Sequence, residues 1–193
     1  MSVRRPGQGQ HGISLVELMM FIVIVGIAVL GVLQVLGNTA RNSPDPMLRK
    51  QALAIAEGMM EEIRLAHFSF CDGGDPAAEQ PTTLSPADCT VPENVGAESG
   101  NTRPYDNVND YVIAFGTPVT YSTDAAGNSF PNGYTASVTI QPDTGLGPAG
   151  GKLGSDATPA NMNVLRITVS VSYPGGNAIV LDGYRTRYAP RSI

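Results

Sequence analysis

Hydrophobic positions along this chain are concentrated rather than spread. From Leu18 to Gly37, 20 consecutive residues carry no charge, and Gln34 is the one strongly polar side chain among them. A helix over such a stretch is about 30 Å long, the thickness of a hydrocarbon core. A secretory signal would have an apolar core of about 7–15 residues and a small-x-small cleavage site behind it. This run is longer, and Asn38-Thr39-Ala40 offers a poor residue at the first position of such a site. The segment therefore reads as a retained membrane helix. No second run of this kind occurs in this sequence, so it does not suggest a polytopic membrane protein.

Beyond the run the period of the pattern changes twice. Thr39 to Pro46 contains Pro44 and Pro46, which cannot sit inside a helix without breaking it. Asp45-Pro46 reads as an N-cap followed by proline at the first helical position. A second helix is expected from about 46 to 67, with a break near 43–45. Its apolar stripe is Leu48, Ala52, Ile55, Ala56, Met59, Ile63 and Ala66, at i, i+3, i+4 spacing. Residues 71–110 are loop-like. From Tyr111 the pattern switches to strands: Tyr111–Phe115 and Val119–Ser122 are short candidates, Tyr134–Gln141 and Leu165–Tyr173 alternate, and Ala178–Tyr188 returns after the turn Pro174-Gly175-Gly176-Asn177. One face of each strand is apolar, and the second helix is the only large element able to cover it. The expected class is α+β, a helix on an antiparallel sheet.

Composition supports this division. The chain has 193 residues, room for one domain plus an appendage, with 22 Gly and 15 Pro for loops and only 15% charged residues. Formal net charge is −5, and residues 71–110 carry eight acidic side chains against one basic, Arg103. An acidic body is a poor general nucleic-acid binder. A local exception is Tyr184, Arg185, Arg187, Tyr188 and Arg191. It reads as the polar face of a terminal strand, with surface or DNA binding as the alternative.

Candidate chemistry is sparse. Cys71 and Cys89 lie in a Pro/Gly/Asp-rich segment and are expected to form a local disulfide in an oxidising space, adding about 3 kcal/mol; two free thiols are the alternative. Zinc needs four ligands of the right kind, and the histidines are only His11 and His67. No catalytic set is found, so no enzyme activity, cofactor or small-molecule substrate is expected. His67 reads as a surface or capping residue and the Met pairs, Met19/Met20 and Met59/Met60, as packing. Gly145 to Gly150 formally satisfies G-x-G-x-x-G, but no helical pattern follows it, so it reads as a loop. Asp106, Asn107, Asn109 and Asp110 could offer oxygens to calcium. Their spacing lacks the glycine and terminal glutamate of an EF-hand, and a polar turn leading into a strand at Tyr111 is the preferred reading.

One motif is specific. Gly12-Ile13-Ser14-Leu15-Val16-Glu17-Leu18 follows the basic leader containing Arg4 and Arg5 and opens the apolar run. Glu17 at that place either costs on the order of 1–3 kcal/mol of insertion or sits among headgroups. The stretch resembles the processing signal of type IV prepilins and pseudopilins. The resemblance implies a leader over 1–12, cleavage after Gly12 by a membrane-embedded prepilin peptidase, N-methylation of Ile13, an assembly helix over 13–40 and a head over 41–193. It also implies that Glu17 neutralises the N-terminal ammonium of a neighbouring subunit, or its own, inside a filament. The family usually places Phe or Met where this chain has Ile13. Asp45-Pro46-Met47, the Cys pair, Asp106 to Tyr111 and the closing Leu181 to Tyr188 are similar to minor pilins of the mannose-sensitive haemagglutinin type. The expected partners are other pilins and an inner-membrane assembly platform. The chain is expected to span the inner membrane once, with the N-terminus cytoplasmic and the head periplasmic, and then to enter a pilus; Arg41, Arg49 and Lys50 rival Arg4 and Arg5 in positive-inside counting. A type II secretion pseudopilin and a tip-located binding subunit remain the alternatives.

Overall fold

The computed structural model describes residues 14–42, 46–78, 80–154, 157–158 and 162–187. The chain divides into two units, 1–44 and 45–193.

The first unit is one helix, α1 (Leu15–Asn42). Its opening bond runs from the Leu18 N–H to the Ser14 carbonyl, 3.0 Å. Leu15–Gly37 is long and apolar enough to cross a membrane. Apolar residues circle this helix instead of lining one stripe, and every side chain from Ser14 to Gly37 is exposed in the single chain. A helix of that kind needs lipid or other chains around it.

The second unit is a helix on a sheet. Helix α2 (Pro46–Leu65) is followed by two short 3₁₀ turns, Pro86–Asp88 and Val108–Tyr111, and by four strands: β1 (Val119–Tyr121), β2 (Thr135–Pro142), β3 (Val164–Ser172) and β4 (Ile179–Thr186). The strands form an antiparallel sheet in the order β1-β2-β3-β4. Ala136, Val138 and Ile140 of β2 share one face with Leu165, Ile167, Val169 and Val171 of β3, and all seven are buried. Ala52, Ala56, Met59, Met60 and Ile63 of α2 bury onto that face. The helix lies chiefly against β3 and β4. Met60 reaches so close to β4 because position 183 is glycine: a Cβ there would lie 2.7 Å from the Met60 sulfur.

The α+β class and the sheet agree with the pattern of alternation. The strand expected over Tyr111–Phe115 does not form. Tyr111 closes the turn Val108–Tyr111, and Tyr111 and Val112 are both buried while Ile113 is 75% exposed. The physical reason lies just upstream. The Asn107 N–H donates to Asp110 Oδ2 at 3.3 Å and the Asp110 N–H to the Asn107 carbonyl at 3.3 Å, which folds the backbone into a turn before an extended segment can start. The expected N-cap Asp45 and the break at 43–45 lie outside the described residues; α1 ends at Asn42 and α2 begins at Pro46.

Candidate functional site

Two parts of the molecule carry chemistry. In the first unit it is Glu17, an exposed carboxylate in the first turn of α1. A carboxylate there is favoured by the unpaired N–H groups and positive dipole end of the helix. It is also the only charged side chain between Leu15 and Gly37. Gly12 and Ile13, the expected cleavage and methylation positions, lie outside the described residues.

In the head it is the segment between α2 and β1. Cys71 and Cys89 are joined as a disulfide. Around it the chain runs antiparallel to itself, with Cys71 paired to Pro92. The Asp72 N–H donates to the Val91 carbonyl at 3.0 Å and the Glu93 N–H to the Phe70 carbonyl at 2.9 Å. Asp75 Oδ2 accepts from the Val91 N–H at 2.6 Å and closes the same ladder from the side. A second, parallel pairing ties His67 to Asn107 through His67 N–H to Asp106 carbonyl, 2.8 Å, and Val108 N–H to His67 carbonyl, 2.9 Å. The His67 side chain itself is exposed.

These two pairings bring distant acids together. One carboxylate oxygen each from Asp72, Glu93 and Glu98 lie within 4.8 Å of one another, and so do oxygens from Glu98, Asp106 and Asp110. The polar turn expected over Asp106–Asp110 is therefore not a wet one: Asn107, Asn109 and Asp110 are buried. Glu93 is 5% exposed, and neither of its carboxylate oxygens has a hydrogen-bond partner. Asp110 Oδ1, Asn107 Oδ1 and Asn109 Oδ1 are buried in the same condition. Burial, then the negative charges of Asp110, Glu98, Asp106 and Asp72, push the Glu93 carboxyl up to about 9. Burial, then Glu98, pushes Asp110 up to about 7. The Asn101 side-chain nitrogen donates into the cluster, to Asp106 Oδ1 at 2.6 Å, Asp110 Oδ2 at 3.3 Å and Glu98 Oε2 at 3.5 Å.

Next to the acids a separate charge pair is fully matched. Arg103 meets Glu62 of α2 with its Nε and Nη2, and the Tyr111 hydroxyl donates to the same carboxylate at 3.0 Å. Burial and the Glu62 charge push the Tyr111 hydroxyl up in pKa, so it remains a donor.

The C-terminal cluster is divided by strand alternation. Tyr184 faces outward on β4 and is exposed. Arg185 turns to the helix side and donates to the Ala66 carbonyl at 3.0 Å. Arg187 stacks over the rings of Phe68 and Phe70, 4.3 and 3.9 Å from their centroids, and its Nε donates to the Met162 carbonyl at 2.9 Å. Burial lowers its pKa to about 10. Tyr184 and Arg185 line one groove beside α2, with Glu57, Glu61 and Arg64, while Arg187 is held over the Phe68 and Phe70 rings; Tyr188 and Arg191 lie outside the described residues. The segment Gly145–Gly150 is a loop with no helix behind it.

Sequence reasoning located Asp106 and Asp110 but missed Asp72, Glu93, Glu98 and Asn101. The available signal was the excess of acids over residues 71–110; what it lacked was the pairing that folds 72 and 93 onto 106 and 110. Neither a family model, nor a curated protein, nor a solved structure matches this chain.

Proposed function

We propose that the chain is a pilin-like subunit: a head delivered to the periplasm on a helix that first spans the inner membrane and then packs into a filament. Prepilin peptidase cuts after Gly12 and methylates Ile13. The new ammonium group then sits at the front of an apolar helix. In a stack of such helices a lone ammonium or a lone carboxylate is costly, while the two together are tolerable. Glu17 supplies that carboxylate to a neighbouring subunit and so sets the axial register on entry. Among filament subunits a minor pilin of the mannose-sensitive haemagglutinin type, aiding initiation of the filament, fits the head best.

One observation carries this reading: the stretch Gly12-Ile13-Ser14-Leu15-Val16-Glu17 leads directly into a helix apolar on every side, whose only charge before Gly37 is in its first turn. The α+β head with its disulfide is compatible with an exported domain. The tip-binding alternative is less favoured, because Arg185 donates to the Ala66 carbonyl and Arg187 stacks on the Phe68 and Phe70 rings. Mass spectrometry of the N-terminal peptide from cells with and without prepilin peptidase tests the proposal. N-methylated Ile13 in the first and an intact Met1 leader in the second is the expected result; Met1 retained in both, or a free head clipped near Ala40, overturns it.

A further inference from the structure

We infer that the head holds a divalent cation, Ca²⁺ by its chemistry, at the cluster of Asp72, Glu93, Glu98, Asp106 and Asp110. The inference does not depend on the assembly role proposed above.

The first ground is geometric. Two sets of three carboxylate oxygens, sharing Glu98, each fit within 4.8 Å. Ca²⁺ takes oxygens at about 2.3–2.6 Å, so oxygens on opposite sides of the ion lie about 4.6–5.2 Å apart and adjacent ones closer. Each set has the dimensions of part of a calcium shell. Mg²⁺, at about 2.0–2.1 Å and near-octahedral, demands a tighter cage and gives up its waters reluctantly. The ligands are all hard oxygens, with no imidazole or thiolate among them, which disfavours zinc and copper.

The second ground is independent of the clustering. Glu93 is 95% buried by exposure of 5%, with both oxygens unpartnered, and Asp110 at 4% exposure has Oδ1 unpartnered. Buried polar atoms in native proteins are almost always satisfied, and a carboxylate left without partners is among the costliest exceptions. Three carboxylates share the single amide nitrogen of Asn101, whose two N–H groups must serve Glu98, Asp106 and Asp110. That convergence marks the place where positive charge is needed. The Glu93 charge acts on the Arg187 guanidinium, but that guanidinium lies over the rings of Phe68 and Phe70, and neither Glu93 oxygen has a hydrogen-bond partner.

The third ground is that the scaffold is built for the cluster. The Cys71–Cys89 disulfide and the pairing of 70–72 with 91–93 hold Asp72 and Glu93 on adjoining chains. The pairing of His67 with Asn107 fixes Asp106. Gly73 leaves space for that carboxylate, because a Cβ at this position would collide with Asp106 Oδ2. Gly96, at φ +100°, adopts a backbone conformation other residues rarely take, and its N–H bonds the Asn109 carbonyl at 3.2 Å, drawing 93–98 across the 106–110 turn.

The test uses the full chain in detergent micelles, stripped with EDTA and dialysed. CaCl₂ and MgCl₂ are titrated separately by calorimetry, and thermal unfolding is followed with each. Saturable Ca²⁺ binding with a dissociation constant at or below about 1 mM, weaker Mg²⁺ binding and a Ca²⁺-dependent rise in Tm are expected. Glu98→Gln, in a half-exposed residue shared by both sets, should weaken Ca²⁺ binding about tenfold or more and abolish most of the Tm rise. Glu93→Gln should do the same while leaving the EDTA-treated Tm unchanged or higher, since it removes a buried carboxyl group whose oxygens have no partner. Asp143→Asn, in a distant loop, should bind as the native chain does. Absence of heat and of any Tm shift up to about 10 mM Ca²⁺ overturns the inference, and so does an undiminished Ca²⁺ response in both Glu93→Gln and Glu98→Gln.

Discussion

Glu62 and Arg103, 41 residues apart in sequence, meet as a two-pronged ion pair inside the head, Nε to Oε1 at 2.9 Å and Nη2 to Oε2 at 2.6 Å. Their side chains are 6% and 12% exposed. The pair is completed by the Tyr111 hydroxyl and by Arg103 Nη1 donating to the Thr123 carbonyl at 3.0 Å, with the guanidinium 4.6 Å above the Tyr121 ring. It ties α2 to the segment that precedes β1 and, through Thr123, to the chain just beyond β1.

Removing one partner strands the other. Glu62→Ala and Arg103→Ala should each destabilise the head by about 3–5 kcal/mol. The double variant should cost less than the sum, because it leaves no lone buried charge. Thermal unfolding followed by the near-ultraviolet tyrosine signal measures this. Additive losses would show that the two residues act separately.

The disulfide is expected to stabilise the head and to organise the acids. Cys71→Ser with Cys89→Ser should cost about 3 kcal/mol by the loop-entropy argument for its 18-residue separation. Ca²⁺ affinity should fall with it, since Asp72 and Glu93 flank the bridge. Calorimetry on the double variant reads the second effect, and an unchanged affinity would show that the ladder holds without the bond.

Glu17→Ala should insert in the membrane and be processed as usual, yet enter filaments poorly. Immunoblots of sheared filaments against membrane fractions measure this ratio. Incorporation at the native level would refute the charge-pairing role.

Stability of the EDTA-treated head should fall as pH rises. Glu93 holds its proton in the native state up to about pH 9, while the unfolded chain releases it near the ordinary value of 4.5. Asp110 behaves alike up to about 7. Across that window the native state binds more protons, so the stabilisation is full below the ordinary carboxyl values and is lost as pH climbs through the raised ones. Tm measured from about pH 5 to about pH 9 should decline in EDTA and flatten in Ca²⁺. A Tm rising with pH in EDTA would contradict the burial of these carboxyls.

Arg187 and Tyr184 should separate cleanly in a mutational test. Arg187→Ala removes a guanidinium stacked on two phenylalanine rings and should lower Tm. Tyr184→Ala, on the exposed face of β4, should leave it within about 0.5 kcal/mol of the native value.

Much of the architecture is set by local pattern. Period, charge and breakers are properties of neighbouring residues, so the apolar helix after Glu17, the stripe of α2 and the alternation of β2, β3 and β4 could be read directly. The class followed, because one striped helix and a one-sided sheet have only each other to cover them. Met60 did not appear in the stripe, since its burial depends on the absence of a side chain at Gly183, across the helix–sheet interface. Tyr111–Phe115 is a short apolar run that reads as a strand, yet the hydrogen bonds between Asn107 and Asp110 turn the chain there. Burial of the acids is a tertiary outcome in the same sense. Asp72, Glu93, Glu98, Asp106 and Asp110 look like solvated loop residues in sequence; only the ladder across Cys71 and Pro92 and the bridge from His67 to Asn107 fold them together, with Glu93 and Asp110 out of water and short of partners. Contacts between residues tens of positions apart leave no periodic trace along the chain, and that is why the long apolar helix was legible in the sequence and the cluster of acids was not.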